Sequence, residues 1–238
     1  MSKDIESVYT DSFSITHSPQ RTRIRNIAYT AVFGSLWGFS EFFLGSIFHA
    51  LQIPFRSLIL QSIGVLIAFT GAIFITRNFA ILRIGIIAAF FKMFSFGGGN
   101  TLPVIMAILV QSAIADLVLL VARKNRVGYP LAAGVSMMWI PFNMPLFYFI
   151  LLFLPFLKQV ILGETSISEF DGIMIDFLTR LKLSIESFIS KFGFNFDIKT
   201  VFIYGVAIYT GFLFIFGGLM GAFSWYLGKK IKEAMKLE

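Results

Sequence analysis

Three ionisable side chains interrupt runs of the sequence that are otherwise apolar: Glu41, Lys92 and Asp116. A charge near the centre of a hydrocarbon layer costs about 2.5 kcal/mol or more, so such residues face a protein interior, where they are paired or used. Counted at about 1.5 Å per residue, Lys92 lies roughly 13 Å beyond Arg83 and Asp116 roughly 10 Å before Arg123. Equal depth and opposite sign predict a Lys92–Asp116 ion pair between two helices, with a proton or ion relay as the sharper alternative. Glu41 lies nearer the opposite, outer surface. The same count brings Gln61, Gln111 and Asn143 into the outer half, with His49 and Arg56 close by at helix ends. Trp139, Phe142, Phe147 and Tyr148 supply apolar and stacking walls. Apolar walls around a few oriented polar groups are the makeup of a small-molecule site. Gln61, Gln111 and Asn143 also suit a plainer role as interhelical hydrogen-bond partners, and His49 and Arg56 one as headgroup anchors.

Composition decides which elements must position these residues. Of 238 residues 57% are hydrophobic, 30 are Phe and only 14% are charged, against roughly 25% charged in an ordinary soluble domain. Mean hydropathy is +0.81, which points to a membrane protein. Cys is absent and His occurs only at 17 and 49, so neither a thiolate nucleophile nor a metal centre is expected. No phosphate-cradling GxxxxGK[ST] run occurs, so ATP-driven work would fall to a partner. No cofactor is expected, and enzymatic chemistry is disfavoured: Glu41 and His49 are separated by about 12 Å of helix rise, too far for direct proton exchange.

A helix needs about 20 mostly apolar residues to span a hydrocarbon core of about 30 Å. Runs of that kind lie near 27–51, 57–76, 80–96, 102–122, 129–157 and 200–227. These predict an all-α membrane protein with six transmembrane helices, the fifth kinked at Pro141 and Pro145. Basic clusters fall on alternate flanks: Arg21/Arg23/Arg25, Arg77/Arg83, Arg123/Lys124/Arg126 and Lys229/Lys230/Lys232/Lys236. Because cytoplasmic flanks collect Lys and Arg, both termini are predicted to be cytoplasmic. The formal net charge of +7 then reads as a collar beside anionic membrane lipid, and nucleic acid is not an expected partner. Residues 1–23 and 231–238 read as cytoplasmic tails flanking a membrane domain at 24–230. Within that domain, 158–199 carries Phe170, Ile173, Phe177, Leu181 and Ile185 at helical spacing opposite charged residues. This predicts an extracytoplasmic amphipathic helix, either resting on the bilayer or acting as a lid.

Ala31, Gly34, Ser35 and Gly38 give the first helix a flat strip, as Gly217, Gly218 and Gly221 do for the last, and such strips permit close backbone approach. With this strip, the segment AVFGSLWGFSEFFLGSIFHALQIPF at 31–55 and six helices ending in the cytoplasm, the chain resembles the substrate-binding S components of energy-coupling factor transporters over 24–157 and 200–230. The resemblance implies ATP-driven uptake of a small organic nutrient, such as a vitamin or its precursor, across a prokaryotic cytoplasmic membrane. It implies a transmembrane coupling subunit docked on Ala31, Gly34, Ser35 and Gly38, and two cytoplasmic ATPase subunits. The substrate would be held by Glu41, His49, Arg56, Gln61, Gln111, Trp139 and Asn143. The competing readings are a proton- or ion-coupled carrier or channel using Glu41, Lys92 and Asp116, an intramembrane enzyme and a structural membrane protein.

The absence of Cys makes the topology directly testable. A membrane-impermeant maleimide applied to intact cells should label Gly98→Cys and leave Lys236→Cys unlabelled until the cells are opened; equal labelling of the two would refute the six-span arrangement.

Overall fold

The computed structural model describes residues 19–51, 56–94, 101–122, 124–143, 179 and 198–235. The main helices are α1 (Pro19–Ala50), α2 (Arg56–Phe74), α3 (Ala80–Met93), α4 (Thr101–Ala122), α5 (Gly128–Met137) and α6 (Ile198–Ala234). The described residues contain no strand. Four of these helices, α1, α2, α4 and α6, are long and apolar enough to cross a membrane. With 14 residues, α3 rises about 21 Å and falls short of the hydrocarbon core. Helix α5 ends at Met137, and a turn at 138–139 separates it from a further helical stretch at 140–143. The break directly precedes Pro141, whose ring crowds the carbonyl of residue 137 and whose nitrogen has no proton to offer it.

Both expected tails are partly helical. Helix α1 begins at Pro19, inside the 1–23 segment, and α6 runs to Ala234, inside 231–238. Proline suits a first helical position because its fixed φ is already helical and its missing N–H would have had no partner there. The predicted amphipathic helix at 158–199 lies outside the described residues except for Thr179 and the start of α6.

Neighbouring helices form a closed ring in the order α1, α3, α4, α5, α6, α2, with α2 also touching α3 and α5. Side-chain register gives their directions. Phe33 meets Gly71 and Trp37 meets Gly64, so α1 and α2 are antiparallel; Gly34 meets Ile84 and Ile87 while Gly38 meets Phe91, so α1 and α3 are parallel. Asp116 meets Leu82 and Ser112 meets Gly85, making α3 and α4 antiparallel. Gly217 packs on Ala133 and Met137, and Gly221 on Tyr129, which sets α5 against α6 in the same sense. Helix direction therefore alternates along the chain and gathers Arg25, Arg77, Lys124 and Lys229 at one end of the bundle.

Bare glycine backbones allow this packing. The Trp37 indole of α1 reaches inward until its Nε1 lies where a Cβ on Gly64 would stand, and its ring lies 3.6 Å from the Cβ position of Gly85. Ser112 of α4 occupies the rest of the Gly85 surface. Gly34 and Gly38 serve the same purpose for α3: an added Cβ would stand 2.6 Å from Ile87 Cβ and 2.5 Å from Phe91 Cβ, respectively. Around these contacts Phe33 stacks on Phe74 at 5.7 Å, and Phe69 meets Tyr129 edge-on at 6.0 Å.

Gly85→Ala should destabilise the protein by about 1–3 kcal/mol, because the added carbon would overlap the buried Ser112 side chain and force the α3–α4 contact apart. Gly205→Ala, where nothing among the described residues lies within 4 Å of the added carbon, should change stability by less than about 1 kcal/mol, in the favourable direction. Unfolding of the two variants in detergent checks the contrast.

Candidate functional site

The two ends of the bundle treat polar groups differently. At the basic end several are clamped, although Arg25 Nε is buried there without a hydrogen-bond partner among the described residues. Asn26 Nδ2 donates to Thr76 Oγ1 at 3.0 Å and the Thr76 N–H returns to Asn26 Oδ1 at 3.3 Å, fastening α1 to the end of α2. Lys124 Nζ donates to the carbonyls of Ile75 at 3.3 Å and Arg77 at 2.9 Å, tying the chain after α4 to the α2–α3 connection. Asn125 Oδ1 accepts from the N–H groups of Val127 at 3.0 Å and Gly128 at 2.7 Å, capping the start of α5. Withdrawal of the Lys124 ammonium from water lowers its pKa from the ordinary lysine value; Asp116 opposes the shift and Arg83 adds to it. This occurs although the lysine side chain as a whole remains exposed.

Asp116 belongs to this end, and the expected Lys92–Asp116 ion pair does not form. Its Oδ2 accepts the backbone N–H of Leu82 at 2.6 Å, so the carboxylate caps the first turn of α3 from a neighbouring helix and complements the positive end of that helix dipole. Phe79, which precedes this turn, holds a left-handed φ of 58°, a conformation costing on the order of 1 kcal/mol outside glycine; the grip on Leu82 lies three residues away. Lys92 is ten residues beyond Leu82, or about 15 Å along α3. The depth count erred because the α3–α4 register pairs Asp116 with the start of α3 rather than its end.

Lys92 instead meets Glu41. Its Nζ lies 3.5 Å from the Glu41 carbonyl oxygen and 3.6 Å from the Cβ position of Gly45, and its charge acts on the Glu41 carboxylate. The missing side chain at Gly45 leaves the ammonium room to lie along α1. Trp37 stands one helical turn before Glu41, and its Nε1 is buried without a hydrogen-bond partner among the described residues.

The other expected binding residues divide. Glu41 is 5% exposed and Gln111 4%, so both face the bundle interior. Gln61 is half-buried, and its Oε1 is buried without a hydrogen-bond partner among the described residues; Trp139 Nε1 is in the same condition. Asn143 is half-buried, whereas Arg56 is exposed at the start of α2 and is not gathered with the others. His49 lies in α1, but its side chain is outside the described residues, as is the 52–55 connection. Among the described residues no three His, Cys, Asp or Glu side chains group as a metal site.

Of the docking strip, Gly34 and Gly38 are covered by α3. This corrects their assignment to a partner surface: small residues allow close approach, and a helix of the same chain has made it. Ala31 is exposed and Ser35 half-buried on the neighbouring side of α1. Sequence reasoning missed Trp37, Gly64, Gly85 and Ser112, which set how closely α1 to α4 approach. The Trp37–Glu41 spacing of one helical turn was the available signal. Comparison with protein-family models, curated proteins and solved structures returns no match.

If Lys92 and Glu41 act as a pair, Lys92→Met and Glu41→Gln should each destabilise the protein, and the double variant should lose less than the sum. A coupling of about 0.5–3 kcal/mol is expected from a double-mutant cycle on unfolding in detergent; strict additivity would dissolve the pair.

Proposed function

We propose that this chain is the substrate-binding membrane subunit of an ATP-driven uptake system for a small organic nutrient, of the vitamin or vitamin-precursor class, in a prokaryotic cytoplasmic membrane. The observation that carries the reading is hydrogen-bonding capacity left open within the bundle. Gln61 Oε1 and Trp139 Nε1 are buried without partners among the described residues, and the buried Glu41 and Gln111 accompany them toward the end away from the basic collar. Lipid cannot satisfy such groups, and each unmet one is costly, so a polar ligand entering between the helices would recover that energy. Glu41 and Gln61 would orient it, Gln111 would contact it more deeply, and Trp139 with Asn143 would close the α5 side.

The topology follows from charge. With the basic end at the cytoplasm, both termini lie inside and the ligand enters from outside. Six crossings require α3 and α5 to be completed by neighbouring residues. A coupling subunit would dock on α1 through Ala31 and Ser35, on the side that α3 leaves uncovered, and cytoplasmic ATPases would favour the inward-releasing state by binding it more tightly. A relay through Glu41, Lys92 and Asp116 has less support, because about 15 Å of α3 separates Lys92 from the Asp116 contact.

The test begins with the small molecule retained after gentle purification, identified by mass spectrometry. Glu41→Gln should weaken its binding by about tenfold or more, the loss of one charge-assisted hydrogen bond, and unchanged affinity would remove Glu41 from the site. Ser35→Trp should abolish co-purification with ATPase and coupling subunits while leaving ligand affinity intact.

A further inference from the structure

The basic end of the bundle contains a half-open cleft of about 260 Å³ lined by Asn78, Phe79, Asp116, Leu119, Leu120 and Lys124, which the uptake reading does not use. Asp116 is only 1% exposed, yet beyond the backbone N–H groups of Leu82 and Ile81 that face it its carboxylate retains acceptor capacity, since an ionised carboxylate offers about four lone-pair sites. Lys124 directs its ammonium to two backbone carbonyls, and no ion pair within 4.0 Å joins it to Asp116 among the described residues. Opposite charges thus line one cleft without touching.

Around the cleft Asn78 and Lys124 are exposed polar side chains, and the other exposed lining residues are apolar. Phe79 is 41% exposed and Leu120 44%, and Leu117 and Val121 stand exposed beside them on α4. On a helix that crosses a bilayer, such a face meets acyl chains, while Asn78, Lys124 and Arg126 mark headgroup depth. A ligand entering here therefore needs an apolar tail and a head bearing both charges. We propose that this cleft binds a zwitterionic phospholipid with a primary amine, its ammonium donating to Asp116, its phosphate reaching Lys124 and its chains lying along Phe79, Leu117 and Leu120. Choline heads do not satisfy the cleft because a quaternary ammonium has no N–H to donate. Glycerol heads bring no cation to Asp116 and set a phosphate near its carboxylate.

The full chain, equilibrated with equal amounts of phosphatidylethanolamine, phosphatidylcholine and phosphatidylglycerol carrying identical acyl chains, can be examined by native mass spectrometry after mild detergent extraction. Retained phosphatidylethanolamine should exceed phosphatidylcholine by about tenfold, the value of one charge-assisted hydrogen bond. Leu120→Trp, which narrows the mouth and leaves both charges in place, should abolish that preference, as should Asp116→Asn where it folds. Equal retention of the two lipids, preference for phosphatidylglycerol, or a preference that survives Leu120→Trp would each overturn the proposal. Free phosphoethanolamine binding as tightly as the lipid would overturn the lipid as its source.

Discussion

The Trp37 indole is wedged among three helices, and the bundle depends on the absence of side chains where it lands. Its Nε1 edge lies on Gly64 of α2 and its six-membered ring lies near Gly85 of α3. In a bilayer the hydrophobic effect does not drive helix against helix, so close van der Waals contact must hold them, and bare backbone permits it. The same device recurs at Gly34 and Gly38 against α3, Gly71 against Phe33, and Gly217 and Gly221 against α5. Glycine is a poor helix former in water; here it lets the facing helix come close enough to pack.

From this packing follows a polar asymmetry. The basic end is cross-tied by Asn26 with Thr76, Lys124 with Ile75 and Arg77, and Asp116 with Leu82, so that end holds together through hydrogen bonds between segments distant in sequence. Toward the other end, Gln61 Oε1 and Trp139 Nε1 remain without partners among the described residues, and Lys92 reaches the Glu41 carbonyl at 3.5 Å. A bundle tied at its basic end by contacts between distant segments, with unpartnered polar groups of Gln61 and Trp139 toward the other end, is suited to admit a polar solute from that other side, which is the physical content of the proposed uptake role.

The long outer helices serve another purpose. Helix α6 carries Ile208, Phe212, Ile215, Leu219 and Phe223 exposed, while Gly217, Gly221 and Gly228 turn to α5 and α2. Lys229 and Lys230 lie over Trp225 and Tyr226, with ring-centre distances of 4.9 and 5.5 Å. Amphipathic aromatics with cations at a helix end match the membrane–water boundary. Helix α1 likewise leaves Ile27, Val32, Leu36, Phe39 and Phe43 uncovered, so α1 and α6 flank α2 as apolar faces open to lipid or to another membrane subunit.

What the sequence by itself determined is what can be counted along one segment: the helical character of the described residues, four of the six expected apolar spans, the basic flanks that gather at one end and the break ahead of Pro141. Apolar length, charge and a missing N–H are local quantities, and each acts without regard to neighbours. The inward placement of Glu41 and Gln111 was legible for the same reason, since a buried polar group in a lipid-spanning helix has few other directions to face. Only the tertiary structure decided the partners. Residue counts estimate depth but not rotation about the helix axis, nor which helix stands alongside. Asp116 therefore met Leu82 rather than Lys92, Lys92 met Glu41, Arg56 stayed at the surface, and the glycines of α1 received α3 instead of a second protein. These outcomes depend on the ring order and on registers set by Trp37, Gly64, Gly85 and Ser112, whose effect exists only when four separate helices are brought together.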